Sequence, residues 1–300
     1  MYEKHFGFRE RPFALTPDPA FLYHSDKHSM AYAMLEYGVL NNIPVVLITG
    51  DIGTGKTTLI RHLLASLDSN VTVGLISNTH RSFGDLIQWV TMAYGLEHEG
   101  RDKVTLYRRF VEFLIDEHAN NRRAVLIVDE AQNMDIETLE ELRLLTNINA
   151  DKSMVLQLVL VGQPQLRHTL QRPELEQFAQ RIGSDYHLEV LDKRDTREYI
   201  RHRLAVAGSG RNPFAADAMD AIFEYSGGVP RLINTLCDSA LVYAFADDRQ
   251  RVTARLVTQM VDDKRRRGLF GAGNRGVVPA VLPLECPLDL DVPPGDDAQA

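Results

Sequence analysis

Cysteine is almost missing from this chain. Its 300 residues contain two, Cys237 and Cys286, and the second lies in a proline-rich tail, which excludes a disulfide framework. Long apolar runs are missing too. No window approaches the roughly 18 uninterrupted apolar residues of a membrane-crossing helix, so no transmembrane segment is expected. The first residues, MYEKHFGFRERPF, hold no apolar core of the kind that marks a secretory signal. A reducing, cytoplasmic setting is the expectation, with any membrane association peripheral and through partners. Net positive charge is absent as well: 33 Lys and Arg stand against 41 Asp and Glu, a balance of −8. No global basic field therefore points to nucleic acid, and binding of a polyanion would need a local patch. There is no internal repeat of the solenoid kind.

What is present is ordinary for a folded protein, with 44% hydrophobic and 25% charged residues, which excludes wholesale disorder and a fibre. The tail differs. Residues 268–300 carry Pro279, Pro283, Pro287, Pro293 and Pro294, and Arg275 stands alone against Glu285, Asp289, Asp291, Asp296 and Asp297. Such a stretch lacks the periodic apolar residues that offset chain entropy and reads as disordered. Before it, short β-branched runs at 45–49, 71–77, 124–128, 155–161 and 186–191 alternate with helical patterns at 56–67, 83–94, 103–119, 136–147 and 173–181, with Ser82 and Asp85 as a capping signal. Runs apolar on both faces suit a parallel sheet covered by helices. After 191 the strand signal stops, and 195–207, 215–225, 230–245 and 253–266 read as helices. The expected organisation is an N-terminal aromatic segment and helix over 1–42, an α/β domain over 43–191, a helical lid over 192–267 and the tail.

Three segments carry chemistry. Gly50-Asp51-Ile52-Gly53-Thr54-Gly55-Lys56-Thr57, followed by Thr58, is a full G-x-x-x-x-G-K-[ST] phosphate loop between a strand and a helix. Its backbone N–H groups and the helix N-terminus favour phosphate. Lys56 is expected to reach the β- and γ-phosphates of ATP and Thr57 to hold Mg²⁺. The run Ala124–Val128 ends in Asp129 and Glu130, two carboxylates at the C-terminal edge of the sheet. Asp129 is expected in the Mg²⁺ shell and Glu130 as the general base for an attacking water. The run 155–161 ends in Gly162-Gln163-Pro164. Gln163 either reads the γ-phosphate or water from that edge, or the tripeptide simply turns the chain into the next helix. Two arginines complete the set. Arg181, ahead of the fifth strand, would face away from its own nucleotide and suits a finger acting on a neighbouring subunit, or a surface salt bridge. Arg231, at the start of the helix after Gly227-Gly228-Val229-Pro230, opposes the helix dipole, and contact with a γ-phosphate would supply a reason.

These segments resemble the AAA+ ATPases, and within them the ExeA or GspA type of general-secretion ATPase, with relatives in exosortase loci and among transposition regulators. The resemblance is carried by Phe6-Gly7-Phe8, Arg11-Pro12-Phe13, Pro17-Asp18-Pro19, Leu22-Tyr23-His24-Ser25 and His28, then by the phosphate loop, Val128-Asp129-Glu130-Ala131-Gln132 and Val161-Gly162-Gln163-Pro164. Gln180-Arg181-Ile182, Tyr199-Ile200-Arg201-His202-Arg203-Leu204 and Gly228-Val229-Pro230-Arg231-Leu232-Ile233-Asn234 close the series. It implies a P-loop α/β core with a C-terminal helical lid, and it implies Gln163 as sensor 1, Arg181 as the arginine finger, Arg231 as the sensor-2 arginine and the segment 6–23 as a border of the adenine pocket. It further implies self-association into a ring or filament, ATP hydrolysis at subunit interfaces, and a protein partner in an envelope secretion or export complex. ExeA-type proteins continue into a membrane helix and a peptidoglycan-binding module. Here Lys264-Arg265-Arg266-Arg267 leads into the tail instead, so the chain is expected to be the bare ATPase module. The alternative is a regulator of transposition assembling on duplex DNA, for which Lys103, Arg108, Arg109, Arg122, Arg123 and the run 264–267 are the available cations.

Overall fold

The computed structural model describes residues 1–16, 18–77, 85–150 and 153–267. Pro17, the Ser82 part of the capping signal and the tail from 268 lie outside the described residues. Met1–Met260 form one compact unit that holds the sheet and most of the helical sequence after it; the described residues from Val261 on fall outside it.

The chain opens with α1 (Glu3–Phe6) and α2 (Asp26–Leu40), then β1 (Val45–Gly50), α3 (Lys56–Ser66), β2 (Val71–Ile76), α4 (Leu86–Ala93), α5 (Lys103–Ala119) and β3 (Arg123–Val128). It continues through α6 (Ile136–Leu145), a short hairpin of β4 (Asn149–Ala150) and β5 (Ser153–Met154), β6 (Leu156–Gly162), α7 (Pro164–Leu170), α8 (Glu176–Ala179) and β7 (Ile182–Leu188). The helices α9 (Lys193–Val206), α10 (Ala216–Ser226), α11 (Pro230–Ala246) and α12 (Ala254–Arg266) follow. The five long strands make a parallel sheet in the order β2-β3-β6-β1-β7. After β1 the chain moves to the far edge and returns strand by strand, then crosses to the other side of β1. That reversal puts a crevice at the carboxyl end of β1, where open α/β sheets bind ligands.

Alternation along the strands builds two cores. Leu47, Leu126, Val128, Leu158 and Leu160 face one layer with Leu106, Phe110 and Leu114 of α5. Val46, Ile48, Val125, Ile127, Val159 and Val161 face the other, against Leu35 of α2 and Leu59 and Leu63 of α3. Burial on both faces is why these runs read as continuously apolar. The helices start where short polar side chains satisfy their first N–H groups: the Asp102 carboxylate accepts from Val104 and Thr105 N–H, each at 3.0 Å, and that of Asp135 from Thr138 N–H at 2.7 Å.

Two expectations need correction. The fifth strand covers 182–188 rather than 186–191. As an edge strand paired with β1 alone, it buries only Ser184 and Leu188 and lacks the continuous apolar run of the others. The helix expected over 173–181 is a 3₁₀ turn, Pro173–Leu175, followed by the single turn of α8. Its three-residue spacing buries both Leu175 and Phe178.

Candidate functional site

The carboxyl ends of β1, β3 and β6 bring the phosphate loop, the Asp129–Glu130 pair and Gln163 to one edge of the sheet. A cavity of about 320 Å³ opens there. Residues 52–58 and Glu130 line one end, and Ala14, Leu15, Thr16, Phe21, Leu22 and Tyr23 of the N-terminal segment line the other. Tyr199 and Arg203 of α9 and Pro230, Arg231 and Asn234 of α11 close it.

The loop's geometry depends on missing side chains. Gly53 and Gly55 have φ of +81° and +107°, a region that L-residues with a Cβ rarely adopt. A Cβ on Gly53 would lie 2.7 Å from Cβ of Arg231, because α11 begins against the loop with Arg231 N–H donating to Gly53 O at 3.1 Å. The imidazole of His28, buried on α2, supports the loop from the other side: its Nε2–H donates to Thr54 O at 3.0 Å while Nδ1 accepts from the Ser25 hydroxyl at 2.8 Å. Burial holds the pKa of His28 down, which favours this neutral ring.

Lys56 is buried, and its ammonium donates to the carbonyls of Gly50 at 2.8 Å and Asp51 at 2.9 Å. Burial lowers its pKa, opposed by the carboxylates of Glu130, Asp129 and Asp51. Thr57 Oγ1 donates to Asp129 Oδ2 at 3.0 Å, joining the first turn of α3 to the end of β3. Asp129 is pushed upward by its burial, against the bonds from Thr57 and from Glu130 N–H, the latter 2.9 Å long. Glu130 itself has a left-handed backbone, φ +56°, an uncommon conformation for a residue with a side chain. Its Oε2 accepts from Gln132 Nε2 at 2.6 Å, and Gln132 Oε1 accepts from Gln163 N–H at 2.9 Å. Gln163 thus joins the network through its backbone, and its side chain does not line the cavity.

Arg231 sits at the cavity, exposed, and its guanidinium has no protein partner among the described residues. Arg181 does not come to this cavity. The next residue, Ile182, pairs with Val45 at the start of β1, a strand length of roughly 17 Å from the phosphate loop. Its guanidinium donates to Thr146 O at 3.3 Å, to Thr146 Oγ1 at 3.1 Å and to Asn147 Oδ1 at the end of α6.

The aromatic segment divides in two. Phe21, Leu22 and Tyr23 line the cavity, as expected of a border to the base. Phe6 and Phe8 stack on each other and meet Tyr2, His5 faces Phe245, and Phe13 meets Phe214 edge-on. That half anchors the N-terminus on the C-terminal helices. The sequence reading assigned no role to His28, Gln132, Tyr199, Arg203 or Asn234. The signal for Arg203 was available: with Tyr199, Ile200 and Leu204 it falls on the buried i, i+4 face of a helix, an unusual place for a guanidinium.

The cations considered for DNA are largely engaged. Lys103 meets Glu141 at 3.2 Å and Asp85 at 3.6 Å, Arg109 meets Glu97 at 2.7 Å and Arg122 meets Glu117 at 2.6 Å. Arg108 lies 3.9 Å from Glu112, and Arg123 donates to Val39 O at 3.0 Å. Among the described residues no helix is long and apolar enough to cross a membrane.

Residues 42–170 match the family described as "AAA domain". Over 253 residues, 84% of the chain, the sequence is 40% identical to General secretion pathway protein A of Aeromonas hydrophila, of which it spans 46%. It is 26% identical over 222 residues to Mu-like prophage FluMu DNA transposition protein B of Haemophilus influenzae, covering 72% of this chain and 71% of that protein. The crystal structure of Cdc6p from Pyrobaculum aerophilum superposes with a TM-score of 0.66 at 16% identity, over 87% of this chain and 71% of that one. The chain is thus an AAA-domain protein, with the parallel-sheet P-loop core and C-terminal helices of the AAA+ fold and a close likeness to part of general secretion pathway protein A.

Proposed function

We propose that this chain is an ATP hydrolase that works in an oligomer and drives or regulates assembly of a partner complex, an envelope secretion or export system, from the cytoplasmic side. The observation that carries the reading is the 3.0 Å contact of Thr57 Oγ1 with Asp129 Oδ2 beside the buried Lys56. A hydroxyl and a carboxylate this close, with a cation next to them, are the oxygen donors and charge that a magnesium triphosphate takes.

The residues divide the work. Amides of 52–57 and the N-terminus of α3 receive the phosphates, and the Lys56 ammonium exchanges its carbonyl partners for phosphate oxygens. Thr57 and Asp129 would hold Mg²⁺, which supplies neutralising charge on the β- and γ-phosphates when bound. Glu130 accepts a proton from the attacking water as the new oxygen–phosphorus bond forms and the bond to the ADP oxygen breaks. Arg231 meets the γ-phosphate from α11, Gln163 responds to it from the end of β6 through Gln132 and Glu130, and Arg181 serves the site of a neighbouring copy. The secretion role is supported by the 40% identity to General secretion pathway protein A, of which the chain spans less than half. A second reading, a DNA-bound regulator of transposition, is favoured by the likeness to DNA transposition protein B, while the pairing of the candidate cations counts against it.

Hydrolysis and binding assays on the purified chain test this. Lys56→Ala is expected to abolish ATP binding; retained affinity would undo the phosphate-loop assignment. Glu130→Gln is expected to bind ATP and lose turnover by about 100-fold or more, and unaltered hydrolysis would remove Glu130 from the mechanism. Tight, steeply salt-dependent binding to duplex DNA would move the reading to the second function.

A further inference from the structure

The wall of the cavity opposite the phosphate loop contains a buried cation without an anion. Arg203 is 6% exposed, yet its partners are neutral: Pro12 O, Ala14 O at 3.4 Å and the hydroxyl of Tyr199 at 3.1 Å. Its guanidinium lies over the Phe21 ring, 4.6 Å from the centroid. Tyr199, 6% exposed, in turn donates to Asn234 Oδ1 at 3.0 Å, and Asn234 is 7% exposed.

The order of donors in this chain is forced. A guanidinium has N–H groups and no acceptor, so Tyr199 oxygen must accept from Arg203. The single Tyr199 proton is then directed at Asn234, whose carbonyl oxygen must face it. The remaining group, the Asn234 amide nitrogen, is left as a donor. It has no hydrogen-bond partner among the described residues and, unlike the sealed polar atoms of the core, stays accessible. Asn234 lines the cavity. It lies one turn beyond Arg231 on α11 and is bonded to a tyrosine whose ring meets Tyr23 at 6.0 Å, so it belongs to the aromatic end rather than to the phosphate loop.

We infer that the relay Arg203–Tyr199–Asn234 fixes the Asn234 amide so that its N–H groups serve as a recognition donor for the nucleoside half of the bound nucleotide, where they meet an acceptor on the ribose or on the base ring. The inference rests on the nucleotide reading of the same cavity. Asn234 is the contacting residue; Tyr199 and Arg203 act through it, and Arg203 also ties α9 to the backbone at 12–14, so the segment that borders the base and the helix that carries the relay are held together. Because the relay turns the Asn234 oxygen to Tyr199 and leaves its amide N–H groups for the cavity, a nucleoside that offers a donor opposite that nitrogen leaves two hydrogens opposed and is disfavoured.

Equilibrium binding to the full chain tests this with two probes, ATP and inorganic tripolyphosphate. Asn234→Ala is expected to weaken ATP about tenfold, the scale of one buried hydrogen bond, and to leave tripolyphosphate unchanged. Tyr199→Phe, which frees the amide to turn, is expected to weaken ATP in the same direction, again without effect on tripolyphosphate. On the unaltered protein, 2′-deoxy- and 3′-deoxy-ATP report a ribose acceptor and the 1-, 3- and 7-deaza analogues a ring nitrogen. The analogue lacking the true acceptor should bind about tenfold more weakly than ATP and lose nothing further on Asn234→Ala. The inference is overturned if Asn234→Ala binds ATP as tightly as the unaltered protein, if it loses ATP and tripolyphosphate equally, or if every analogue matches ATP on the unaltered chain. Failure of the unaltered chain to bind ATP at all would instead bring down the nucleotide reading itself.

Discussion

At the scale of single residues, the position of Glu130 is set by its neighbours more than by its place after β3. Its left-handed backbone turns the chain sharply out of the strand, and such a conformation persists only where the surroundings over-determine it. Gln132 supplies part of that determination, with one end of its amide on the Glu130 carboxylate and the other on the backbone of Gln163. Gly162 leaves room for this, since a Cβ there would lie 2.9 Å from Gln132 Oε1. Gln132→Ala is therefore expected to lower the ATP turnover rate about tenfold while leaving the affinity for ATP within a factor of about two, because the phosphate loop is untouched. Steady-state hydrolysis beside equilibrium binding separates the two. A variant that lost affinity and kept its turnover rate would place Gln132 in binding instead. Asp129, Glu130 and Gln163 were legible as a cluster at the sheet edge because each ends an apolar run. The link through Gln132 was not, because glutamine has no positional signature and its two partners are far apart in sequence.

At the scale of elements, α11 and the phosphate loop form one joint. The Arg231 N–H to Gly53 O bond and the close approach of the Arg231 and Val229 side chains to Gly53 hold the first turn of α11 on the loop. Gly53→Ala meets two obstacles, a positive φ and a Cβ placed 2.7 Å from Cβ of Arg231. Gly100→Ala meets the first alone, since φ is +64° there and nothing lies within 4 Å. Gly100→Ala is expected to cost about 1 kcal/mol and Gly53→Ala about 2–3 kcal/mol, or a fall in Tm of about 5–10 °C for the latter, with weaker ATP binding only for Gly53→Ala. Equal melting shifts and equal affinities would mean that α11 moves freely off the loop. Legibility follows the same physics. The helix 103–119 is read correctly to both ends because Asp102 caps it and its apolar stripe is regular. The edge strand 182–188 is misplaced because Ser184, buried and bonded to Met34 O, holds a core position with a polar side chain. The first half of the aromatic segment is misread because its rings pack on Phe214 and Phe245, partners about 200 residues or more away, and no local pattern reports a contact of that range.

At the scale of the molecule, Arg181 lies out of reach of the phosphate loop of its own chain. Arg181 stands beside the start of β1 while the phosphate loop follows its end, and the strand between them is longer than an arginine side chain. Its bonds to Thr146 and Asn147 hold it in that position. If Arg181 contributes charge stabilisation to hydrolysis, it does so for another copy, through a head-to-tail contact of the kind that closes rings or extends filaments. Arg181→Ala and Glu130→Gln should then each be inactive for different reasons. The first keeps its own base and lacks the arginine for its neighbour; the second keeps the arginine and lacks its own base. In a co-assembled mixture, a site is complete where an Arg181→Ala copy is served by a Glu130→Gln copy. Random assembly at equal amounts makes this true of about a quarter of the contacts, so the mixture should recover up to about a quarter of the wild-type rate while each variant alone recovers none. The gain should vanish on dilution below the concentration at which the copies associate. Two variants that stay inactive when mixed, under conditions where mixed oligomers are shown to form, would leave Arg181 a surface anchor for the end of α6. Normal activity of Arg181→Ala alone would have the same meaning.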